Sequence, residues 1–317
     1  MVSREHSMSY ATQSQLNNTV RLGFAERVAL STLTTAPCCI FFYINSTMLF
    51  TLRSKSVFRE TSRYILLYNL LFADTVQMAL SQLLYTLSVC RTLLTYPVCG
   101  FLVMLANLTN EVSPLTLVVM SLERYVAVCY PMRHATIITI RNTAVAIITV
   151  WAFCSLNVLI RVFLLLDFPF EDLESLQMKQ FCSTLIMFLG PMSDFYDKAY
   201  TCFLFVSAGV AVTSSYIGVM VAARSASTDK ASVRKASNTL LLHLVQLGLS
   251  LSSTIHNPLL LVLSRIVTRT GLVRIQNVFY VLIIILPRCL SALVYGLRDQ
   301  TIRPILAYYL CFLYHRL

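Results

Sequence analysis

Apolar residues run along this chain in seven long stretches, near 29–52, 64–89, 98–122, 142–166, 199–223, 238–263 and 275–297. None alternates with period two over about 10 positions, as a strand of a membrane barrel would. Each stretch can supply the roughly 20 residues that a helix needs to cross a hydrocarbon layer. The pattern predicts an all-α membrane protein, a seven-transmembrane helix bundle spanning residues 29–297. Residues 1–28 are polar and lack the apolar core and small-residue cleavage site of a signal peptide. Residues 298–317 are expected to form a tail with the makings of an amphipathic helix. The connections are short, and no internal repeat of the kind that marks many transporters is visible.

Composition sharpens this picture. Charged residues are 12% of the chain, where soluble domains carry about 25%. Hydrophobic residues are 57% and the mean hydropathy is +0.70. A soluble protein so composed would expose apolar area far beyond what monomers tolerate, so the surplus must face lipid or a buried interior. The net charge of +11 does not call for nucleic acid, because its basic residues sit between the apolar runs. They are placed to meet a lipid bilayer surface.

Those basic residues also set an orientation. Arg53, Lys55, Arg59, Arg63, Arg124, Arg133, Arg141, Arg224, Lys230, Arg234, Lys235, Arg298, Arg303 and Arg316 fall on one side, fourteen in all, against nine on the other. The richer side belongs in the cytoplasm, which puts the N-terminus outside and residues 298–317 inside. Asn17, in the sequon Asn17-Asn18-Thr19, is then placed for glycosylation, whereas the sequons at Asn45 and Asn107 lie inside spans. Most of the ten cysteines fall in or beside apolar runs, where a thiol is a small hydrophobe. No spacing of His, Cys or acidic residues calls for a metal, and no cofactor is expected.

Four formal charges lie within the runs: Asp74, Glu111, Arg161 and Arg288. Each costs about 2.5 to 3.5 kcal/mol or more at a bilayer centre if left alone. Asp74 and Arg288 both lie roughly 15 Å from the same membrane face at 1.5 Å per residue. They are expected to pair, the alternative being that Arg288 snorkels to the headgroups. Glu111 shares a helical face with Asn107 and Asn110 through i, i+3 and i+4 spacing. That face either lines a ligand cavity or bonds to a neighbouring helix, with Arg161 as the partner for Glu111. His243 and His256 read as packing or hydrogen-bonding residues.

The third run ends in Met120-Ser121-Leu122-Glu123-Arg124-Tyr125-Val126-Ala127-Val128-Cys129-Tyr130-Pro131. Glu123-Arg124-Tyr125 resembles the Asp/Glu-Arg-Tyr motif of rhodopsin-like (class A) G-protein-coupled receptors. The string through Pro131-Met132-Arg133-His134 resembles odorant (olfactory) receptors, particularly fish-type ones. The other landmarks keep the family's spacing: Asn45, Leu70 to Asp74, Cys99, Trp151, Lys235 to His243, and Pro287 to Tyr295 followed by Gly296-Leu297-Arg298-Asp299. One departure stands out. Ser291-Ala292-Leu293-Val294-Tyr295 replaces the common Asn-Pro-x-x-Tyr, so the proline kink is missing there, and Pro287 is placed to supply one.

The resemblance implies a receptor rather than an enzyme. It implies that Glu123 holds Arg124 at rest and that an agonist releases it. Asp74, Glu123, Arg124, Tyr125, Arg288, Ser291 and Tyr295 are the implied switch residues, and Cys99 with Cys182 the implied disulfide. The implied partners are a small-molecule odorant and a heterotrimeric G protein of the stimulatory, olfactory type that raises cAMP, at the plasma membrane of sensory cilia. Candidate ligand contacts are Met104, Asn107, Leu108, Glu111, Phe203, Ser207, Ile255, Tyr280 and Val281. Candidate G-protein contacts are Arg124, Met132, Lys230, Arg234 and Lys235. A class A receptor for a small hormone, amine or peptide would share this fold; the short tail and third inner loop favour the odorant class. A transporter or channel is the more distant alternative. An opsin needs a lysine in the last span for its Schiff base, and none stands between Ile275 and Leu297.

Overall fold

A computed structural model of the chain describes residues 24–90, 92–166, 178, 182, 191–225, 237–238, 240–249, 259–260, 262–263, 266–267, 269–299, 301–305 and 307–308. Among these the regular elements are helices: α1 (Phe24–Ser54), α2 (Ser62–Val89), α3 (Tyr96–Cys129), α4 (Ile140–Leu166) and α5 (Pro191–Ser225). The longest described stretch of α6 is Leu240–Leu249. Helix α7 is composite, with Arg269–Phe279, a π-helical stretch Tyr280–Ile285 and Leu286–Arg298. Short helical turns, Ser56–Arg59 and Pro131–Ile137, lie in the α1–α2 and α3–α4 connections. Five of the described helices are long and apolar enough to cross a membrane. Helix α2 carries more polar positions, among them Asn69, Asp74, Thr75, Gln77 and Gln82.

The outer faces are apolar, as lipid requires. Phe50, Ile148, Phe163, Val206, Val210 and Ile217 are all exposed. The main core lies between the helices, with Met48, Leu52, Leu66, Leu67, Leu70, Leu71, Leu117, Met120, Val212, Leu247 and Tyr295. Helix α3 is the hub, packing on α2, α4 and α5. Its 34 residues make a rod of about 51 Å, longer than a hydrocarbon layer of about 30 Å. It therefore runs past the apolar stretch that ends at Leu122. The helix stops where Pro131 follows: Tyr130 leaves helical space at φ −131° and ψ 56°, because a residue before proline is disfavoured there.

Three prolines are absorbed inside the described helices, Pro37 in α1 among them. Pro114 lies within α3 and removes one ladder bond. In α7 the π-helical stretch ends two residues before Pro287, a common accommodation of an interrupted ladder. Gly218 on α5 lets that helix approach α3 closely, because a Cβ there would run into the Tyr125 ring.

Candidate functional site

The buried polar side chains gather into clusters that connect helices. In the first, Arg288 on α7 donates from Nη1 to Asp74 Oδ1 on α2 at 2.9 Å, and both side chains are 3% exposed. Ser113 Oγ on α3 donates to the same oxygen at 2.6 Å. Arg288 Nη2 donates to Asn110 Oδ1, and the Arg288 carbonyl accepts from Asn45 Nδ2 of α1 at 3.4 Å. The pairing of Asp74 with Arg288, rather than snorkelling, is what the structure contains. Four helices meet at this one arginine. The attraction between the paired charges offsets a desolvation cost that neither could bear alone.

The second cluster lies nearer the Cys99 end. Arg161 on α4 reaches Glu111 Oε1 on α3 at 2.9 Å and Asp197 Oδ1 on α5 at 2.8 Å. Asn157 Nδ2 donates to both Glu111 oxygens at 2.7 and 2.8 Å, and Asn157 Oδ1 accepts from the Tyr196 hydroxyl at 2.6 Å. The Arg161 guanidinium stands 5.6 Å from the centre of the Tyr200 ring. Glu111 thus bonds to a neighbouring helix, α4. The three polar residues expected on one face of α3 divide: Asn110 reaches α7, Glu111 reaches α4, and Asn107 Nδ2 is shielded from solvent with no hydrogen-bond partner among the described residues.

The third cluster occupies the opposite, arginine-rich end. Arg124 Nε lies 3.0 Å from Glu123 Oε2, and His134 Nε2 lies 3.9 Å from Glu123 Oε1. Beside α7, Asp299 Oδ2 accepts from the Tyr64 hydroxyl at 3.1 Å and pairs with Arg63 Nη2 at 3.3 Å. Its Oδ1 accepts the backbone N–H groups of Thr301 and Ile302 at 2.9 and 3.3 Å. Sequence reasoning missed this hub. An Asp just past a helix end, with a new helical turn beginning shortly after it, is an N-cap signal that could have found it.

Cys99 and Cys182 form the expected disulfide, with Cα atoms 5.6 Å apart. The Met178 N–H donates to the Leu94 carbonyl at 3.0 Å, which seats the same segment on the start of α3. Trp151 Nε1 on α4 donates to Asn69 Oδ1 at 2.8 Å, and Asn69 donates to Thr116 at 3.0 Å.

The candidate ligand contacts are not all brought together. Met104 is buried on α3, and Leu108 packs beside Val112 and Cys154. Tyr280 stacks on Tyr85 at 4.9 Å and donates to Gln82 at 3.4 Å, near α1, while Val281 is half-buried. Phe203 and Ser207 correct the expected phase of α5. Phe203 is 63% exposed and Ser207 also points outward, whereas Leu204, Phe205 and Ala208 face inward. A continuously apolar run gives no strong amphipathic signal, so its buried face could not be fixed to one position. At the other end Met132 is 94% exposed. Asn17, Lys230, Arg234, Lys235, Ile255 and His256, and the side chain of Ser291, lie outside the described residues.

Fold and clusters together define a multi-pass membrane bundle with buried ion pairs joining its helices. The profile of the 7 transmembrane receptor (rhodopsin family) matches residues 44–296. Odorant receptor 131-2 of Danio rerio is 35% identical over 276 residues, covering 85% of this chain and 82% of that protein. Olfactory receptor 2A1/2A42 of Homo sapiens is 32% identical over 146 residues, 44% of this chain and 46% of the relative. Olfactory receptor 1078 of Rattus norvegicus is 26% identical over 35% of this chain and 34% of its own. The chain belongs to the rhodopsin family of seven-transmembrane receptors, in its odorant-receptor branch. That is a receptor class, not an enzyme class.

Proposed function

We propose that this receptor binds a small-molecule odorant in the half of the bundle nearer the disulfide and activates a stimulatory, olfactory-type G protein that raises cAMP. Residues 1–28 lie outside the cell with Asn17 glycosylated, residues 29–297 form the membrane domain, and residues 298–317 form the cytoplasmic tail. The Lys and Arg excess beside Arg124 supports this orientation. The observation that carries the functional reading is the 35% identity to a zebrafish odorant receptor across 85% of the chain. The Glu123–Arg124 pair at 3.0 Å supports the switching part.

Ligand binding shifts such a bundle only by differing in affinity for its two states. The resting state holds Arg124 on Glu123; the active state frees it for the G protein, with Met132 and the basic residues Lys230, Arg234 and Lys235 completing the contact. Asp74 with Arg288, and Tyr125, Ser291 and Tyr295 along α3 and α7, tie the ligand half to that end. Met104, Asn107, Leu108, Ile255, Tyr280 and Val281 remain the ligand candidates, with Glu111 acting through Arg161. The receptor works at the plasma membrane of olfactory cilia. The test is a cAMP assay of cells expressing the chain with an olfactory G protein, across odorant mixtures. An odorant-dependent rise that Arg124→Ala abolishes at equal surface level is the expected result. Responses to hormones, amines or peptides alone would move the receptor to a non-olfactory branch.

A further inference from the structure

The junction of α3, α4 and α5 holds one arginine and two carboxylates, and one of the carboxylates has far more access to water than the other two groups. The Arg161 and Glu111 side chains are each 5% exposed, while Asp197 is 32% exposed. The guanidinium divides its arms, Nη2 to Glu111 and Nη1 to Asp197. Glu111 is fixed, since Asn157 holds both of its oxygens. Glu111 alone neutralises Arg161, so swinging Asp197 towards water leaves a balanced buried pair. Removing Glu111 instead would strand a charge. Asp197 is therefore the cheaper of the two carboxylates to displace.

Two further features lie on the helices that carry these groups. Asn107, one helical turn from Glu111 on the same face of α3, carries the shielded Nδ2 donor that has no partner among the described residues. A buried donor without an acceptor is costly, and an incoming oxygen would relieve it. Tyr196 and Tyr200 stack at 6.1 Å on α5, with Tyr200 beneath the guanidinium. Their rings offer apolar surface next to a cationic centre. Glu111 already neutralises Arg161, so a cationic ligand would pair with Asp197 at its more exposed edge and leave the Arg161 donors taken. An anion that replaces Asp197 leaves the charge count around Arg161 unchanged.

We propose that Arg161 is the anion-recognition group of the ligand site and Asp197 its built-in, displaceable counter-ion, so that the ligand class is a small organic carboxylate. This rests on the odorant reading above. One ligand oxygen takes the place of Asp197 Oδ1 at Arg161 Nη1, and Asn107 is placed to donate to a polar group of the same ligand. Asp197, being tethered, competes with the ligand at a high effective concentration. Its removal makes the receptor more sensitive to carboxylates, opposite to what loss of a structural contact would do.

The experiment uses the full-length receptor in lipid nanodiscs, wild type and Asp197→Ala, with thermal unfolding followed against hexanoate, hexanamide and hexan-1-ol. The variant is expected to unfold at lower temperature and to be restored by hexanoate alone. Its half-maximal hexanoate concentration should be at least about tenfold below that of the wild type, since the tethered competitor is gone. Equal effects of the three probes, or no gain in hexanoate sensitivity over the wild type, would overturn the proposal. If Asp197→Ala does not fold, Asp197→Asn, which keeps the shape and loses the charge, is read by the same criteria. The cAMP assay separates the two levels of the argument. An odorant response in the wild type without carboxylate rescue removes the anion site alone; rescue without response to any odorant removes the odorant reading and leaves the anion site.

Discussion

Arg288 and Asp74 meet at 2.9 Å in the bundle interior, although 214 positions separate them along the chain. Neither charge is stable there without the other, and the pair cannot be exchanged for water as a surface pair can. Asp74→Asn or Arg288→Gln should each cost about 3 to 5 kcal/mol by stranding its partner. The double variant should lose less than the sum of the two, and thermal unfolding in detergent measures the difference.

The Cys99–Cys182 bridge closes a loop with a sequence separation of 83. Loop-closure entropy for that length corresponds to roughly 4 to 5 kcal/mol. Cys99→Ser, Cys182→Ser and the double variant should therefore lower the unfolding midpoint equally. Reductant should lower that of the wild type and leave the variants unmoved.

Glu123 neutralises Arg124 from the adjacent position. Glu123→Gln keeps the shape of the side chain and removes its charge, so the resting state loses its ion pair. Expression-normalised basal cAMP should rise several-fold without odorant. A basal level equal to the wild type would show that this pair does not set the resting bias.

Asp299 accepts from Arg63, Tyr64 and two backbone N–H groups. Asp299→Ala removes a cap and an ion pair together, at a cost of about 1 to 3 kcal/mol. Asp299→Asn should retain the cap and recover part of that loss. Unfolding midpoints of the two variants, set beside Arg63→Gln, separate the contributions.

Gly218 faces the Tyr125 ring so closely that no side chain fits without displacing it. Gly218→Val should destabilise by about 1 to 3 kcal/mol, as overpacking does. Tyr125→Ala should relieve most of that strain, which the unfolding midpoint of the double variant would reveal.

Much of the bundle was legible because lipid makes apolar length a direct signal of a spanning helix. The buried charges were legible for the same reason: Asp74, Glu111, Arg161 and Arg288 stand out in apolar runs, and all four are found in ion pairs. Helix faces were harder to read. The run around Phe203 is apolar on every side, so its inward residues, Leu204, Phe205 and Ala208, carry no mark that separates them from their neighbours. Partners supplied by distant segments were harder still. Nothing local ties Asp197 to Arg161 or Asp299 to Arg63, since those contacts depend on how helices lie against one another.

The π-helical stretch Tyr280–Ile285 has a consequence for tracing ancestry in this helix. A π turn takes in one residue more than the α turn it replaces. Residues on its two sides no longer share one helical wheel, and a count carried across it misplaces a face by about 100°. A relative whose last helix is α-helical throughout would superpose on both halves only with a one-residue gap inside the membrane. An insertion of that kind would change which side chains Tyr280 and Arg288 oppose while leaving every connecting loop at its original length.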